Sequence, residues 1–182
     1  DDQLGWVNQA EPNDEIIIGT SHGMAIRFSI SDLRPLGRSA RGVTAMKMRA
    51  DDAIIGCDII PKNYNADLLV VTTDGYGKRT ALSEFRTQNR GGIGLICTKF
   101  KKPTSRLTTL TIVKEDDEVM IVTANGVVTR QEVAKISRQG RPATGVCVQS
   151  LMENDSVVAV NKIVNPEENN EEETIVSPKL MD

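Results

Sequence analysis

A threefold repeat of about fifty residues constrains the fold of this chain more than any other feature. Gly23, Gly75 and Gly126 each lie between two β-rich runs, and they are spaced 52 and 51 residues apart. The dipeptides Asp74-Gly75 and Asn125-Gly126 are strong hairpin signals, because both residue types tolerate a positive φ. A fixed period of this length is typical of stacked supersecondary units such as propeller blades.

Other residue types recur at fixed distances from these glycines. Arginine stands four residues after each glycine and again fifteen residues after it, and a second glycine stands nineteen residues after it. The arginines are Arg27, Arg79 and Arg130, then Arg38, Arg90 and Arg141, and the second glycines are Gly42, Gly94 and Gly145. Turns explain the glycines, whereas an exposed arginine contributes little to stability. The recurring arginines therefore suggest a surface that meets the same negatively charged ligand several times.

The repeat predicts an all-β, propeller-like fold with four-stranded blades of about fifty residues. We place copy one at residues 15–62, copy two at 63–114 and copy three at 115–164. In each copy a hairpin precedes a third strand and a fourth strand. The third strands are expected at 43–48, 95–100 and 146–151, and the fourth strands at 53–60, 107–113 and 157–164. Residues 1–14 are expected to end a preceding blade, with 1–10 as its last strand, and the acidic residues 165–182 to form a disordered tail.

Composition limits the compartment and the class of protein. Aromatic residues make up only 3% of the chain, so the core is expected to be aliphatic. No apolar run is long enough for a membrane-spanning helix, and the first residues lack the pattern of a secretory signal. Three cysteines in apolar runs, Cys57, Cys97 and Cys147, are typical of reduced thiols in a cytosolic protein. The absence of an initiator methionine suggests a fragment of a longer protein.

The net charge of −3 conceals a strongly segregated charge pattern. Residues 19–106 hold fifteen Lys and Arg against seven Asp and Glu, whereas residues 1–18 hold five acids and no base. Residues 165–182 hold six acids and one base. The isoelectric point near 5.3 is therefore compatible with a polyanionic partner, because the basic charge is concentrated in two of the three copies.

The loop 88–94 of copy two carries the clearest ligand-binding signal. Its three glycines, Gly91, Gly92 and Gly94, allow a close backbone approach and outward N–H groups, and Arg90 adds a guanidinium suited to phosphate oxygens. Such a set is suited to bind a nucleic-acid backbone without reading bases. The predicted DNA contacts are Arg27, Arg38, Arg41, Lys47, Lys78, Arg79, Arg86, Gln88, Arg90, Gly91, Gly92, Gly94, Lys99, Lys101, Lys102, Arg130 and Arg141.

The loop resembles the glutamine-arginine-glycine box of the C-terminal domain of the DNA gyrase A subunit. The surrounding phrases DGYGKRTALSEFRTQNRGGIG, GMAIRFSISDLRPLGRSARGV and MIVTANGVVTRQEVAKIS resemble blades of that domain, over roughly residues 1–164. Gln88, Arg90, Gly91, Gly92 and Gly94 match the box. Asn89 and Ile93 stand where the family commonly has basic residues, and the family's box usually lies in the first blade, so the principal box is expected upstream.

The resemblance implies a β-pinwheel, a propeller-like disc whose blades exchange strands and whose basic rim wraps duplex DNA. It implies non-specific DNA binding, bending and wrapping in support of ATP-dependent negative supercoiling by a holoenzyme of A and B subunits. The DNA-cleaving tyrosine, ATP and Mg²⁺ then belong to other parts of that type II topoisomerase, and this fragment has no cofactor and no enzymatic activity of its own. A cytoplasmic, nucleoid-associated location in a bacterium is expected, or an organellar one.

Three alternatives remain at this stage. The related C-terminal domain of topoisomerase IV shares the blade design but lacks a strong box, so the loop 88–94 argues against it. A propeller scaffold that binds proteins through its loops predicts no salt-sensitive DNA binding. An independent enzyme is disfavoured, because the sequence contains no nucleophile–base pair, metal-ligand cluster or Walker-type loop. No catalytic residue and no metal ligand is therefore predicted.

Overall fold

The computed structural model describes residues 3–163, which form three antiparallel sheets. The prediction of a disordered tail at 165–182 lies outside the described residues. No helix in the described part of the chain is long and apolar enough to cross a membrane. The strands are β1 (Glu15–Thr20), β2 (Met24–Ser29), β3 (Ile54–Ile60), β4 (Asp67–Thr72), β5 (Tyr76–Ala81), β6 (Leu95–Ile96), β7 (Leu107–Val113), β8 (Glu118–Thr123), β9 (Val128–Glu132), β10 (Val146–Cys147) and β11 (Val157–Ile163).

Each sheet is one blade. Blade one has the strand order β3-β1-β2-β6, blade two has β7-β4-β5-β10, and blade three has β11-β8-β9. The hairpins β1–β2, β4–β5 and β8–β9 form where the glycine turns predict them, and Gly75 takes the positive φ of 79° that its turn requires. A single-turn 3-10 helix follows each hairpin, at Ile30–Asp32, Leu82–Glu84 and Val133–Lys135.

The third strands of copies two and three are shorter than the sequence predicts, and neighbouring copies exchange them, as the resemblance implies. Strand β6 belongs to copy two but pairs with β2 of blade one, in the register Met24↔Ile96 and Ala25↔Leu95. Strand β10 of copy three pairs with β5 of blade two in the same manner. Residues 43–48 were expected to form a strand and do not, because no described blade precedes copy one and offers them an edge.

The remaining boundaries are close to the prediction, with one exception near the start of the chain. The fourth strands, β3, β7 and β11, form where expected. Residues 3–10 form no strand. Their contact with the edge of β3 is made by a side chain, because the Nδ2 group of Asn8 donates to the Cys57 carbonyl at 2.9 Å, and no β-ladder forms.

The hydrophobic core lies largely between successive blades. One cluster joins Ile17 and Ala25 of blade one to Leu68, Phe85 and Leu107 of copy two. A second cluster joins blade two to blade three in the same way, and a third lies within blade one. The buried apolar residues are mainly aliphatic, as the composition predicts. Blades one and two are therefore each stabilised by the copy that follows, which fixes the loops of that copy against the preceding blade.

Candidate nucleic-acid interface

The loop 88–94 is held against blade one by main-chain hydrogen bonds. The N–H of Gln88 donates to Arg27 O at 2.8 Å, the N–H of Gly91 donates to Ala45 O at 2.8 Å, and the Gly92 carbonyl accepts from Lys47 N at 2.9 Å. The N–H groups of Gln88 and Gly91 are therefore used inside the protein. This corrects the expectation that the whole loop presents its N–H groups outward as an anion nest.

The loop arginines contact the segment of the preceding copy that follows its own loop, which is strand β6 for Arg141 and the non-strand residues 43–48 for Arg90. Arg90 Nη1 donates to Thr44 O at 2.6 Å, and Arg141 Nη1 donates to Ile96 O at 3.1 Å. Thr44 and Ile96 occupy the same position, two residues after a loop glycine. A guanidinium carries five N–H donors, so one nitrogen can hold the side chain in place while others face an outside acceptor. Both arginines are half-buried, and the equivalent Arg38 is exposed.

The arginines four residues after the hairpin glycines have a different role from the one predicted. Arg27 bonds to Glu15 through Nε at 2.9 Å and to the Leu82 and Phe85 carbonyls through Nη1 at 2.9 and 3.3 Å. Burial raises the pKa of Glu15, but hydrogen bonds from Arg27 and Thr87 outweigh it and lower that pKa overall. Arg27 therefore joins blade one to the 3-10 helix of copy two.

Arg79 repeats this arrangement one blade further on. It is 8% exposed, and its guanidinium bonds to Ile136 O at 2.8 Å, Asp67 at 3.4 Å and Glu115 at 3.0 Å. Arg130 forms an ion pair with Glu118 and is exposed. The prediction of DNA contact is thus corrected for Arg27 and Arg79, because their donors are already committed to protein acceptors in the packed interface between blades.

Lys78 is also corrected, because its side chain is completely buried. Its Nζ group donates to the carbonyls of Gly140 and Arg141 at 2.6 and 2.5 Å. These two bonds fix the backbone of the copy-three loop, residues 139–145, which is equivalent to the loop 88–94. Burial lowers the pKa of Lys78 to about 8, since an apolar environment disfavours the ammonium form. Lys78 therefore positions the backbone that carries Arg141.

The other predicted cations remain on the surface. Lys101 contacts Tyr76, with Nζ lying 4.4 Å from the centre of its ring and bonded to its hydroxyl, and this bond raises the pKa of Lys101. The exposed cations of copies one and two are Arg34, Arg38, Arg41, Lys47, Arg49, Lys62, Arg86, Lys99, Lys101, Lys102, Arg106 and Lys114.

Several of these cations surround a groove of about 500 Å³ between blades one and two. Its rim includes His22, Arg49, Lys99, Lys101 and Lys102, and its apolar lining includes Met24, Ile96 and Phe100. Sequence reasoning missed Arg49. The signal was present, because Arg49 follows Gly42 by seven residues, as Lys101 follows Gly94.

The corresponding groove between blades two and three is lined by acidic as well as basic residues. It has a volume of about 710 Å³, and its lining includes Asp74, Glu153 and Asp155 together with Lys101 and Lys102. The position equivalent to Arg49 and Lys101 is Met152 in copy three. Positive charge is therefore concentrated where blade one meets blade two.

Strand-exchanged blades of about fifty residues with arginine-bearing loops define a class of propeller-like repeat domains. A family model described as "DNA gyrase C-terminal domain, beta-propeller" matches residues 14–61, 66–114 and 117–163. The chain belongs to this family, which confirms both the resemblance and the all-β, propeller-like fold inferred from the sequence.

Individual relatives agree with this assignment. The DNA gyrase A subunit of Synechocystis sp. is 39% identical over 191 residues, covering 87% of this chain and 22% of that protein. The DNA gyrase A subunit of Staphylococcus epidermidis is 42% identical over 170 residues, covering 93% of this chain and 19% of that protein. The chain thus spans about a fifth of the length of these relatives.

Two solved structures share the fold. A DNA gyrase A C-terminal domain superposes with a TM-score of 0.75 at 30% identity, covering 84% of this chain and 51% of that domain. The C-terminal domain of DNA topoisomerase IV superposes with a TM-score of 0.78 at 24% identity, covering 84% of this chain and 47% of that domain. The second likeness concerns the fold alone.

Proposed function

We propose that this chain binds duplex DNA without base specificity and bends it along the surface where blade one meets blade two. The observation that carries the proposal is the concentration of exposed cations there, with Arg49, Lys99, Lys101 and Lys102 on the rim of one groove. The loop of Arg90 bonds to the same segment as Lys47, through Thr44 O and the Lys47 N–H. The contacts would be Arg38, Arg41, Lys47, Arg49, Gln88, Arg90, Lys99, Lys101 and Lys102. Phosphate contacts of this kind position a duplex but do not read its sequence.

Family membership supports a wider setting for this activity. The relatives are named as A subunits of DNA gyrase, so we infer that the chain acts as the DNA-wrapping part of such a protein. Its partners would be the remainder of the gyrase A polypeptide and the gyrase B polypeptide. DNA cleavage, ATP and Mg²⁺ would then belong to other parts of a cytoplasmic type II topoisomerase. Bending a duplex by a large angle costs several kcal/mol in elastic estimates, and many shallow phosphate contacts would offset it.

Salt titration of binding to a linear duplex tests the proposal. The affinity of the 182-residue chain should fall steeply with salt, because phosphate contacts release counterions. The double variant Arg38→Ala, Arg90→Ala should bind more weakly and with a shallower salt slope. The matched control, Lys135→Ala with Lys162→Ala, removes the same charge from blade three and should keep most of the wild-type slope.

Two results would contradict the proposal. Absence of binding at low salt would favour a propeller scaffold that binds proteins instead. An equal loss in both double variants would mean that net charge, rather than the surface between blades one and two, determines affinity.

A further inference from the structure

One exposed apolar side chain stands near the end of the loop 88–94. Ile93 is 54% exposed, although every other residue of this loop is polar or a glycine. The equivalent residues of the other two loops are Arg41, which is exposed, and Thr144, which is half-buried. Ile93 is therefore apolar at a position that is polar in both other copies, on a loop where the charged groups point to a DNA ligand.

Glycines on both sides leave Ile93 without neighbouring side chains in the chain. Gly92 precedes it and Gly94 follows it. A Cβ atom on Gly91 would meet only Thr44 O, at 4.0 Å, so the space beside that glycine is open as well. A flat partner such as a base pair can therefore approach Ile93 without meeting the side chain of an adjacent residue.

The backbone that carries Ile93 is fixed to blade one directly before and directly after this residue. The Gly92 carbonyl accepts from Lys47 N at 2.9 Å. A Cβ atom on Gly94 would lie 2.5 Å from Ala25 O, so this glycine is in close contact with β2. Ile93 is therefore presented to solvent by a short, anchored segment, and its exposure does not come from a loop without tertiary contacts.

Phosphate-binding groups lie on both sides of this segment. Arg90 donates to Thr44 O through Nη1 at 2.6 Å, which leaves other guanidinium nitrogens for an outside acceptor, and Lys47 is exposed. The N–H groups of Gly92 and Ile93 donate to no acceptor in the described part of the chain. A phosphate group that meets these donors would bring the neighbouring bases close to Ile93.

The combination of these features distinguishes Ile93 from other exposed apolar residues. Single exposed apolar side chains are common on protein surfaces and need no explanation by themselves. Ile96, for example, is also exposed, but it lines the groove between blades one and two. Ile93 alone among the residues of its loop combines an apolar side chain, glycines on both sides and adjacent cationic groups.

We propose that Ile93 is a wedge that inserts between two neighbouring base pairs from the minor groove and fixes the position of the bend in the duplex. This inference rests on the DNA binding proposed above. Isoleucine is among the side chains that DNA-bending proteins insert in this way, because an apolar group is stabilised between the bases that it separates. Phosphate contacts of the adjacent cations offset the cost of unstacking.

A wedge makes affinity depend on how easily the duplex unstacks. Unstacking costs least at a mismatched pair, and pyrimidine–purine steps kink more easily than A-tracts. The chain should therefore bind a duplex with a central mismatch more tightly than the matched duplex, by about tenfold. This preference concerns deformability, so it is compatible with binding that does not read base edges.

Short duplexes labelled at both ends test the wedge, because energy transfer between the labels reports the bend. Ile93→Ala should bend the duplex less and should lose the preference for the mismatch, whereas Ile93→Leu should retain both properties. Neither substitution changes a charge, so the salt slope of binding should stay at the wild-type value. The control is Met152→Ala, which removes a 70% exposed apolar side chain from copy three and should behave as the wild type.

Uracil in place of thymine separates a wedge from a contact in the major groove. An apolar side chain can also pack against the thymine methyl group, and uracil lacks this group. A wedge predicts that the wild-type chain bends thymine-containing and uracil-containing duplexes equally. A methyl contact predicts that the difference between the wild type and Ile93→Ala disappears with uracil.

Two results overturn the wedge and leave the proposed DNA binding in place. One is that Ile93→Ala bends DNA and prefers the mismatch as the wild type does, and the other is that the effect of Ile93 disappears in uracil-containing duplexes. Absence of binding by the wild-type chain at low salt overturns the proposed DNA binding itself, and the wedge with it.

Discussion

The two interfaces between blades share one backbone plan but support their loops differently. Ile26 packs against the loop 88–94, since a Cβ atom added to Gly92 would lie 3.5 Å from Ile26 Cδ1. Below the loop of copy three lies Lys78, at the position equivalent to Ile26, and its ammonium group holds two loop carbonyls. Both loops share main-chain bonds, since the N–H of Gln139 donates to Arg79 O as the N–H of Gln88 donates to Arg27 O. The two loops differ in the side chain packed against them, which is apolar for the first and a buried cation for the second.

This difference shows that the residues that pack a loop and the residues that give its outer surface a charge can vary independently. The first loop is rich in glycine, and its Gly92 carbonyl accepts from the N–H of the exposed Lys47. The second loop contains Pro142, and the Arg141 N–H donates to Glu84 at 3.1 Å, so an acid accompanies its arginine. Copies of one sequence pattern can therefore keep the same packing while their outer surfaces diverge in charge.

The largest expected effect concerns the hairpin arginines. Arg79→Ala should lower the free energy of unfolding by about 3 kcal/mol, because it removes a buried guanidinium and leaves Asp67 and the Ile136 carbonyl with fewer partners. Arg27→Ala should cost less, since Arg27 is only partly buried.

Urea denaturation at one fixed protein concentration measures both variants. The exposed Arg86→Ala is the control and should change stability little. A greater loss for Arg27→Ala than for Arg79→Ala would contradict the assigned burial.

An intermediate effect is expected for the buried lysine. Lys78→Met should lower the free energy of unfolding by about 1–2 kcal/mol at pH 7, because the Gly140 and Arg141 carbonyls lose their donor. The pKa of Lys78 is lowered from 10.5 to about 8 in the folded chain, so above pH 8 the unfolded state binds more protons. Wild-type stability should therefore rise relative to the variant between pH 8 and 10.5.

Comparing the pH profiles of wild type and Lys78→Met isolates this contribution, because the other titrating groups are shared. A difference that shrinks as the pH rises through this window would contradict the lowered pKa of Lys78.

The smallest effect on stability is expected at the loop arginines. Arg90→Ala should lower the free energy of unfolding by less than about 1 kcal/mol, because its side chain is half-buried and bonds to one carbonyl. Its main effect should be on DNA, with the salt slope reduced by about one. Arg141→Ala should change the slope less, since Glu84 accompanies Arg141. A loss of stability as large as that of Arg79→Ala would contradict this prediction, because it would show that Arg90 mainly stabilises the packing between copies.

The sequence predicts the hairpins and fourth strands well because their signals are local. Asp74-Gly75 and Asn125-Gly126 specify tight turns by their own backbone preferences, and the flanking apolar runs specify the strands. The third strands are harder to predict, since β6 and β10 form on the edge of another copy. Residues 43–48 share their pattern and remain without a strand, because strand formation there depends on a neighbour that the sequence pattern does not reveal.

The roles of side chains are likewise predictable where they depend on local sequence and hard to predict where they depend on contacts with another copy. Arg90 and Arg79 are the same residue type, and both recur at a fixed distance from a hairpin glycine, so the pattern alone assigns both to a ligand. Their roles differ because Arg79 faces the 3-10 helix of the next copy, whereas Arg90 lies in a surface loop. Lys78 likewise occupies a position that is apolar in copy one, and its burial depends on carbonyls 62 and 63 residues further along the chain.

The exchange of third strands links the completion of each sheet to the order of protein synthesis. Met24 in β2 pairs with Ile96, which is 72 residues further along the chain. While a ribosome makes those residues, the outer edge of β2 presents unpaired N–H and C=O groups, and such edges readily pair with other chains. Blades one and two therefore each pass through an aggregation-prone interval, which ends when the following copy has emerged and folded onto them.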